Sequence, residues 1–139
     1  MSLERFCRKP VATALAAQTV REAADKMRER HVGALIVIEQ DRPIGMLTDR
    51  DIVCRVVANG RDPSAVTVET TMTGEVATIR TDQAIEEAAF LMRQKGVRRL
   101  PIVDHEGNLR GVVSLDDLHV LLAAELMQTA EAVRVNKGP

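Results

Sequence analysis

Two stretches of this chain set a hydroxyl and a carboxylate three residues apart at the end of an apolar run: GMLTDRDI at 45–52 and GVVSLDDL at 111–118. Each holds a glycine (Gly45, Gly111), two apolar residues, a hydroxyl (Thr48, Ser114) and then a carboxylate (Asp51, Asp117). Two kinds of chemistry use that spacing. At a helix start, Thr48 or Ser114 is an N-cap that accepts a backbone N–H. Asp51 or Asp117 then complements the helix dipole from the first turn and reaches back to the cap. The same geometry suits an anion: free N–H groups and the hydroxyl meet a phosphate, and the carboxylate accepts two hydrogen bonds from a ribose diol. Capping and binding are compatible, so the motif alone does not separate them.

Little else in the chain suggests reactive chemistry. Cys7 and Cys54 lie far apart with no CxxC, which reads as two reduced thiols. His31, His105 and His119 share no metal-ligand spacing, so no metal site is expected. Gly45 and Gly111 are isolated rather than part of a phosphate-binding loop, and no nucleophile–base pair stands out, so catalysis is not expected. The 139 residues are 45% apolar and 28% charged with a formal net charge of −1, an ordinary globular balance with no basic field to draw nucleic acid or an anionic membrane. Phe6 and Phe90 are the only aromatics, too few to stack the bases of a single strand. The opening MSLERFCRKP lacks the apolar core of a signal peptide. The stretch LHVLLAAELM at 118–127 is too short to span a bilayer and contains Glu125. A soluble, cytoplasmic protein is expected.

The elements that position the two motifs come from an internal repeat. Displaced by about 65 residues, PVATALAAQTVREAADKMRERHV (10–32) lies over EVATIRTDQAIEEAAFLMRQKGV (75–97). Val11, Ala12 and Thr13 meet Val76, Ala77 and Thr78, while Glu22, Ala23 and Ala24 meet Glu87, Ala88 and Ala89. One extra turn residue in the second copy then brings Gly45 onto Gly111. In each copy a short apolar segment precedes a helix, expected at 19–31 and 84–96. The helices bury Val20, Ala23, Ala24, Met27 and Ile85, Ala88, Ala89, Met92 at helical spacing. Two strands joined by the polar turns EQDRP (39–43) and DHEGN (104–108) lead into the motif. A second helix follows it, carrying Ile52, Val53, Val56 and Val57 in one copy and Leu115, Leu118, Leu122 and Leu126 in the other. The expected fold is α/β, with tandem β-α-β-β-α repeats packed by pseudo-twofold symmetry. The boundaries are 8–60 for the first repeat, 61–71 for a linker, 72–127 for the second repeat and 128–139 for a helix end and fraying tail.

Two such repeats, each closing on glycine, two apolar residues, Thr or Ser, and Asp, resemble a pair of CBS domains, the Bateman module, over residues 8 to 125. The resemblance implies a stand-alone regulatory module that binds AMP, ADP, ATP or S-adenosylmethionine in clefts between the repeats. It also implies a homodimer formed through the helices after the motifs, and an effect on a partner protein. Asp51 and Asp117 would hold ribose diols, and Thr48 and Ser114 would sit at phosphates. Thr13 and Thr78 would contact the base, and the strands around Ala34–Ile36 and Leu100, Pro101 and Ile102 would sandwich the adenine. Arg98 and Arg99 in VRRLP (97–101) match the family's basic pair before Leu-Pro and would meet phosphate, with Lys9 and Arg50 as further candidates. The first copy has Gly33 and Ala34 at the place of the arginines, which predicts unequal clefts: one preferring the more highly charged ligand, the other weaker, empty or suited to a ligand with less negative charge. Without a ligand, the same features make a structural dimerisation module whose Thr-x-x-Asp and Ser-x-x-Asp motifs only cap helices.

Overall fold

The computed structural model describes residues 2–136. A 3-10 helix (Leu3–Cys7) precedes the first repeat. The first repeat comprises β1 (Thr13–Leu15), α1 (Val20–Arg30), β2 (Ala34–Glu39), β3 (Arg42–Thr48) and α2 (Asp49–Ile52). Between the repeats stand α3 (Val68–Thr71) and β4 (Thr73–Gly74). The second repeat is β5 (Ile79–Arg80), α4 (Ile85–Lys95), β6 (Arg99–Val103), β7 (Leu109–Ser114) and α5 (Leu115–Val135). One sheet runs β1-β2-β3-β4 and the other β5-β6-β7. The expected tandem α/β fold is what the structure shows, with α1 and α4 within a residue of their expected ends.

The internal symmetry extends to irregularities. β1 pairs parallel with β2 and β5 with β6, and each hairpin shifts register at the matching place, Val37/Ile38 and Ile102/Val103. Leu35 and Val37 point to one face of their sheet, and Leu100 and Ile102 to the equivalent face of the other. They meet α1 and α4 respectively in two helix-side cores. Ile36 and Pro101, one residue out of phase, are buried on the opposite faces.

Neither core is complete within its own repeat. Leu3, fully buried, belongs to the core of the second repeat, whereas Val68, equally buried, belongs to that of the first. Each repeat's leading segment therefore packs on the other repeat. Both glycines of the motif exist for this crossing. A Cβ on Gly45 would stand 2.9 Å from the Thr73 carbonyl oxygen, and one on Gly111 would stand 2.5 Å from that of Phe6. Only a residue without a side chain lets the crossing backbone approach so closely. Within the segment expected as linker, residues 68–71 are thus helical and bury Val68 and Thr71.

The helices after the motifs depart from the sequence expectation. In the first repeat α2 ends after one turn and continues as a π-helical turn (Val53–Val57), with Val56 buried and Val53 and Val57 exposed. In α5 the buried pair is Leu118 and Leu121, while Leu122 and Leu126 of the expected stripe are exposed. The body packs against only the first turns of α5, so none of the described residues covers the rest of an apolar periodicity that continues beyond it. Lys137, Gly138 and Pro139, expected to fray, lie outside the described residues.

Candidate functional site

Both motifs form capping boxes. Thr48 Oγ1 accepts from the Asp51 N–H at 3.1 Å, and Asp51 Oδ2 accepts from the Thr48 N–H at 2.9 Å. In the second repeat Ser114 Oγ and Asp117 Oδ2 make the same exchange, each at 3.0 Å. The strand entry abuts each helix start: the Gly33 carbonyl accepts from Asp49 N–H and the Arg98 carbonyl from Leu115 N–H. Capping, the bland reading of the motif, is therefore present twice.

It does not exhaust Asp51. That side chain is 16% exposed, and its Oδ1 has one neighbour among the described residues, the Arg55 guanidinium at 3.7 Å. Arg55 is in turn anchored by donating to the Thr71 carbonyl at 2.8 Å. Asp51 and Thr48 open on a cleft of about 450 Å³ between the repeats. Its second wall is Lys95, Val97, Arg98 and Arg99, and the crossing segment from Thr73 to Ala77 closes it. The arginines of the second repeat thus line the same cleft as the carboxylate of the first, a placement the sequence leaves open.

The pseudo-symmetric cleft has a volume of about 400 Å³ and is lined by Lys9, Arg30, Val32, Gly33, Ala34, Ile36 and Val112, with Arg99 again contributing. Ser114 and Asp117 are not among its lining residues, and Asp117 is exposed. Here the structure corrects the sequence comparison. A glycine and an alanine opposite the arginine pair predict a second cleft suited to less negative charge, yet it also carries three cations and, among the described residues, no carboxylate on its wall. Lys9 arrives from the crossing segment and Arg30 from the end of α1, and Arg99 lines both sites.

Of the other expected residues, Thr13 lies in β1, where its carbonyl accepts from Lys26 Nζ, and lines a separate cavity near the hairpin turns. Thr78 is exposed and Pro101 buried opposite Val112, and neither lines the two clefts. Arg50 is exposed and outside the first cleft's lining. Sequence reasoning passed over Lys95 and Arg30, because a basic residue in the last turn of a helix reads as a complement to the dipole. They occupy equivalent places in the two copies, a signal the repeat alignment contains.

No described helix is long and apolar enough to cross a membrane. The family model for the CBS domain matches residues 3–58 and 66–128. A CBS domain-containing protein of Bacillus subtilis, YhcV, is 46% identical over 110 residues, covering 79% of this chain and 77% of that protein. An uncharacterized protein of Methanopyrus kandleri, MK0525, is 40% identical over 119 residues, 85% of this chain, which spans 61% of that relative's length. A solved protein with CBS domains from Burkholderia ambifaria superposes with a TM-score of 0.79 at 31% identity, over 89% of this chain and 95% of that one. Two further structures share the fold at 23% identity. One, from Pyrobaculum aerophilum, is complexed with AMP (TM-score 0.77, 89% and 99% covered); the other, the CBS pair of MJ0100, with 5′-methylthioadenosine and S-adenosylmethionine (0.78, 90% and 98%). With two matched units, two capping-box motifs and two inter-repeat clefts in one frame, the chain belongs to the CBS domain family as a tandem pair.

Proposed function

We propose that this chain is a regulatory rather than catalytic module that binds an adenosine nucleotide, AMP, ADP, ATP or S-adenosylmethionine, between its CBS repeats in the cytoplasm and signals to a partner protein. The observation that carries the reading is the first cleft. It joins a carboxylate whose Oδ1 is met only by the long ion pair to Arg55, a hydroxyl at a helix start, and three cations, in a volume suited to a small molecule. In this reading Asp51 Oδ1 accepts from the ribose diol, and Thr48, Lys95, Arg98 and Arg99 meet the phosphates. Met46, Val76, Ala77 and Val97 supply an aliphatic wall for the base, as suits a chain without Trp or Tyr. Ala34 and Arg99 act in the second cleft, while Ser114 and Asp117 lie outside its lining, Thr13 and Pro101 stand in β1 and β6, and Thr78 immediately precedes β5. The adenosine ligands of the two solved CBS proteins support the ligand class.

The test is a melt of the protein with AMP, ADP, ATP and S-adenosylmethionine in turn. A ligand that binds only the folded state raises the melting temperature, by about 2.7 kcal/mol of stabilisation at a hundred times its Kd. No shift with any of the four at millimolar concentration would sink the reading.

One set of observations favours a second reading, a structural dimerisation module. The motif's hydroxyls and carboxylates already satisfy each other as caps, and α5 exposes Val120, Leu122, Leu126, Met127 and Val133. Such a surface suits a homodimer, and in the nucleotide reading it is also where a ligand's effect would be passed on. Light scattering at micromolar concentration should return twice the chain mass, and a monomer mass would remove the dimer from both readings.

A further inference from the structure

Arg99 is the one residue common to the walls of both clefts. It opens β6 with an exposed side chain, and among the described residues its guanidinium has neither an ion pair nor a hydrogen bond. Its neighbour Arg98 differs on both counts: it lines the first cleft only and lies 3.4 Å from Asp116. The settings on the two sides of Arg99 also differ. In the first cleft Asp51 and Glu75 offset Lys95 and Arg98, whereas in the second Lys9 and Arg30 face no lining carboxylate.

We infer that Arg99 is a single cation shared by two anion sites, so that an anionic ligand in one cleft weakens the binding of an anionic ligand in the other. The inference rests on the nucleotide reading above and concerns how its two sites are regulated. A guanidinium is a planar fork that holds one phosphate bidentately, so committing it to one cleft withdraws it from the other. The second ligand then meets one cation fewer and, in addition, the charge of the first. Linkage makes the penalty mutual, with a factor on the order of tenfold for a coupling of this kind. The consequence is a module that fills in two stages as nucleotide rises, each stage a distinct charge state of the ridge between the clefts.

Intrinsically unequal sites would also fill in two stages, so the test must separate inequality from coupling. Met46 lines only the first of the two clefts and Ile36 only the second, so their methyl NMR signals report each site separately during a titration with ADP. The Ile36 midpoint is measured in the wild type, where the first cleft fills as well, and in Asp51→Ala, where its ribose anchor is gone. The expected result is an Ile36 midpoint on the order of tenfold tighter in Asp51→Ala than in the wild type. In Arg99→Ala and the double variant Asp51→Ala/Arg99→Ala, both sites should be weaker and that difference should fall to the small part left by direct repulsion between the two ligands. Equal Ile36 midpoints in the wild type and Asp51→Ala would overturn the coupling while leaving nucleotide binding intact. So would a difference of undiminished size without Arg99. Signals from Met46 and Ile36 that move with none of AMP, ADP, ATP and S-adenosylmethionine at millimolar concentration in the wild type would overturn the nucleotide reading, and the coupling with it.

Discussion

Asp51 stands in the wall of the first cleft at 16% exposure, capped by Thr48 and approached by Arg55, whereas Asp117, its counterpart, is exposed and lies outside the second cleft's lining. The backbone around the two is nearly the same: a capping box, a glycine under a crossing segment, a hairpin with its register shift at the equivalent residue. What repeats is what the backbone requires, since a helix start needs an acceptor and a crossing strand needs a glycine. What differs is the side chains that face the space between the repeats. The frame is duplicated, but the two sites within it are chemically distinct.

The largest effect that would test this frame lies outside the clefts. Leu3 and Val68 are fully buried anchors of the two crossing segments, each completing the core of the other half. Leu3→Ala should cost about 2–5 kcal/mol of stability, and Val68→Ala, which removes less, about 2 kcal/mol. Chemical denaturation should show one cooperative transition that shifts in both variants. Two separate transitions, with only one moving in each variant, would mean that the halves fold independently and that the crossing is incidental.

The carboxylates come next, and here the comparison is sharpest. Asp51→Ala and Asp117→Ala should each lose a cap contribution of about 1 kcal/mol in stability. Only Asp51→Ala should also lose affinity for nucleotide at the first cleft. Removing a charged acceptor should cost on the order of 1.5–3 kcal/mol of binding, or about ten- to a hundredfold in Kd. Calorimetry of both variants reads the two effects apart. Equal losses of affinity would place Asp117 at a ligand after all, and no loss in Asp51→Ala would make both residues caps and nothing more.

These outcomes also mark what could be read from residues alone. The helices 20–30 and 85–95 follow from apolar spacing, and the two motifs from the repeat, because both are local and periodic. The crossing of the leading segments was not legible. Nothing local distinguishes Leu3 or Val68 from any other apolar residue near a turn, and their partners lie in the other half of the chain. For the same reason the cleft that Arg98 and Arg99 serve could not be named. Each motif touches its own strand entry through the Gly33 and Arg98 carbonyls, yet the arginine side chains line a cleft with the other repeat's carboxylate. The cations of the second cleft were hidden differently. Arg30 sits where helix dipoles ordinarily place a basic residue, and Lys9 in a segment with no periodicity to read.

The smallest predicted effect concerns the two cysteines, which report on the two halves without altering either. Cys54 is exposed on the π-helical turn of the first repeat, whereas Cys7 is half-buried in the segment that crosses onto the second, close beside Gly111. Burial pushes the Cys7 thiol up, against a smaller opposing effect of Arg110. Less of it is thiolate at a given pH, and the thiolate is the nucleophile, so Cys7 should react with a maleimide more slowly than Cys54. The fold favours the neutral thiol. Its small contribution to stability is therefore complete below the unfolded thiol's pKa and is lost as the pH rises through the folded one. Phe6 and Lys9, on either side of Cys7, both line the second cleft, so ADP bound there should slow Cys7 further and leave Cys54 unchanged. Mass-resolved labelling at pH 7.5, with and without ADP, gives both rates in one experiment. Equal rates in the free protein would show that the leading segment is not held on the second repeat, and slowing at Cys54 instead of Cys7 would reverse the assignment of which half the ligand grips.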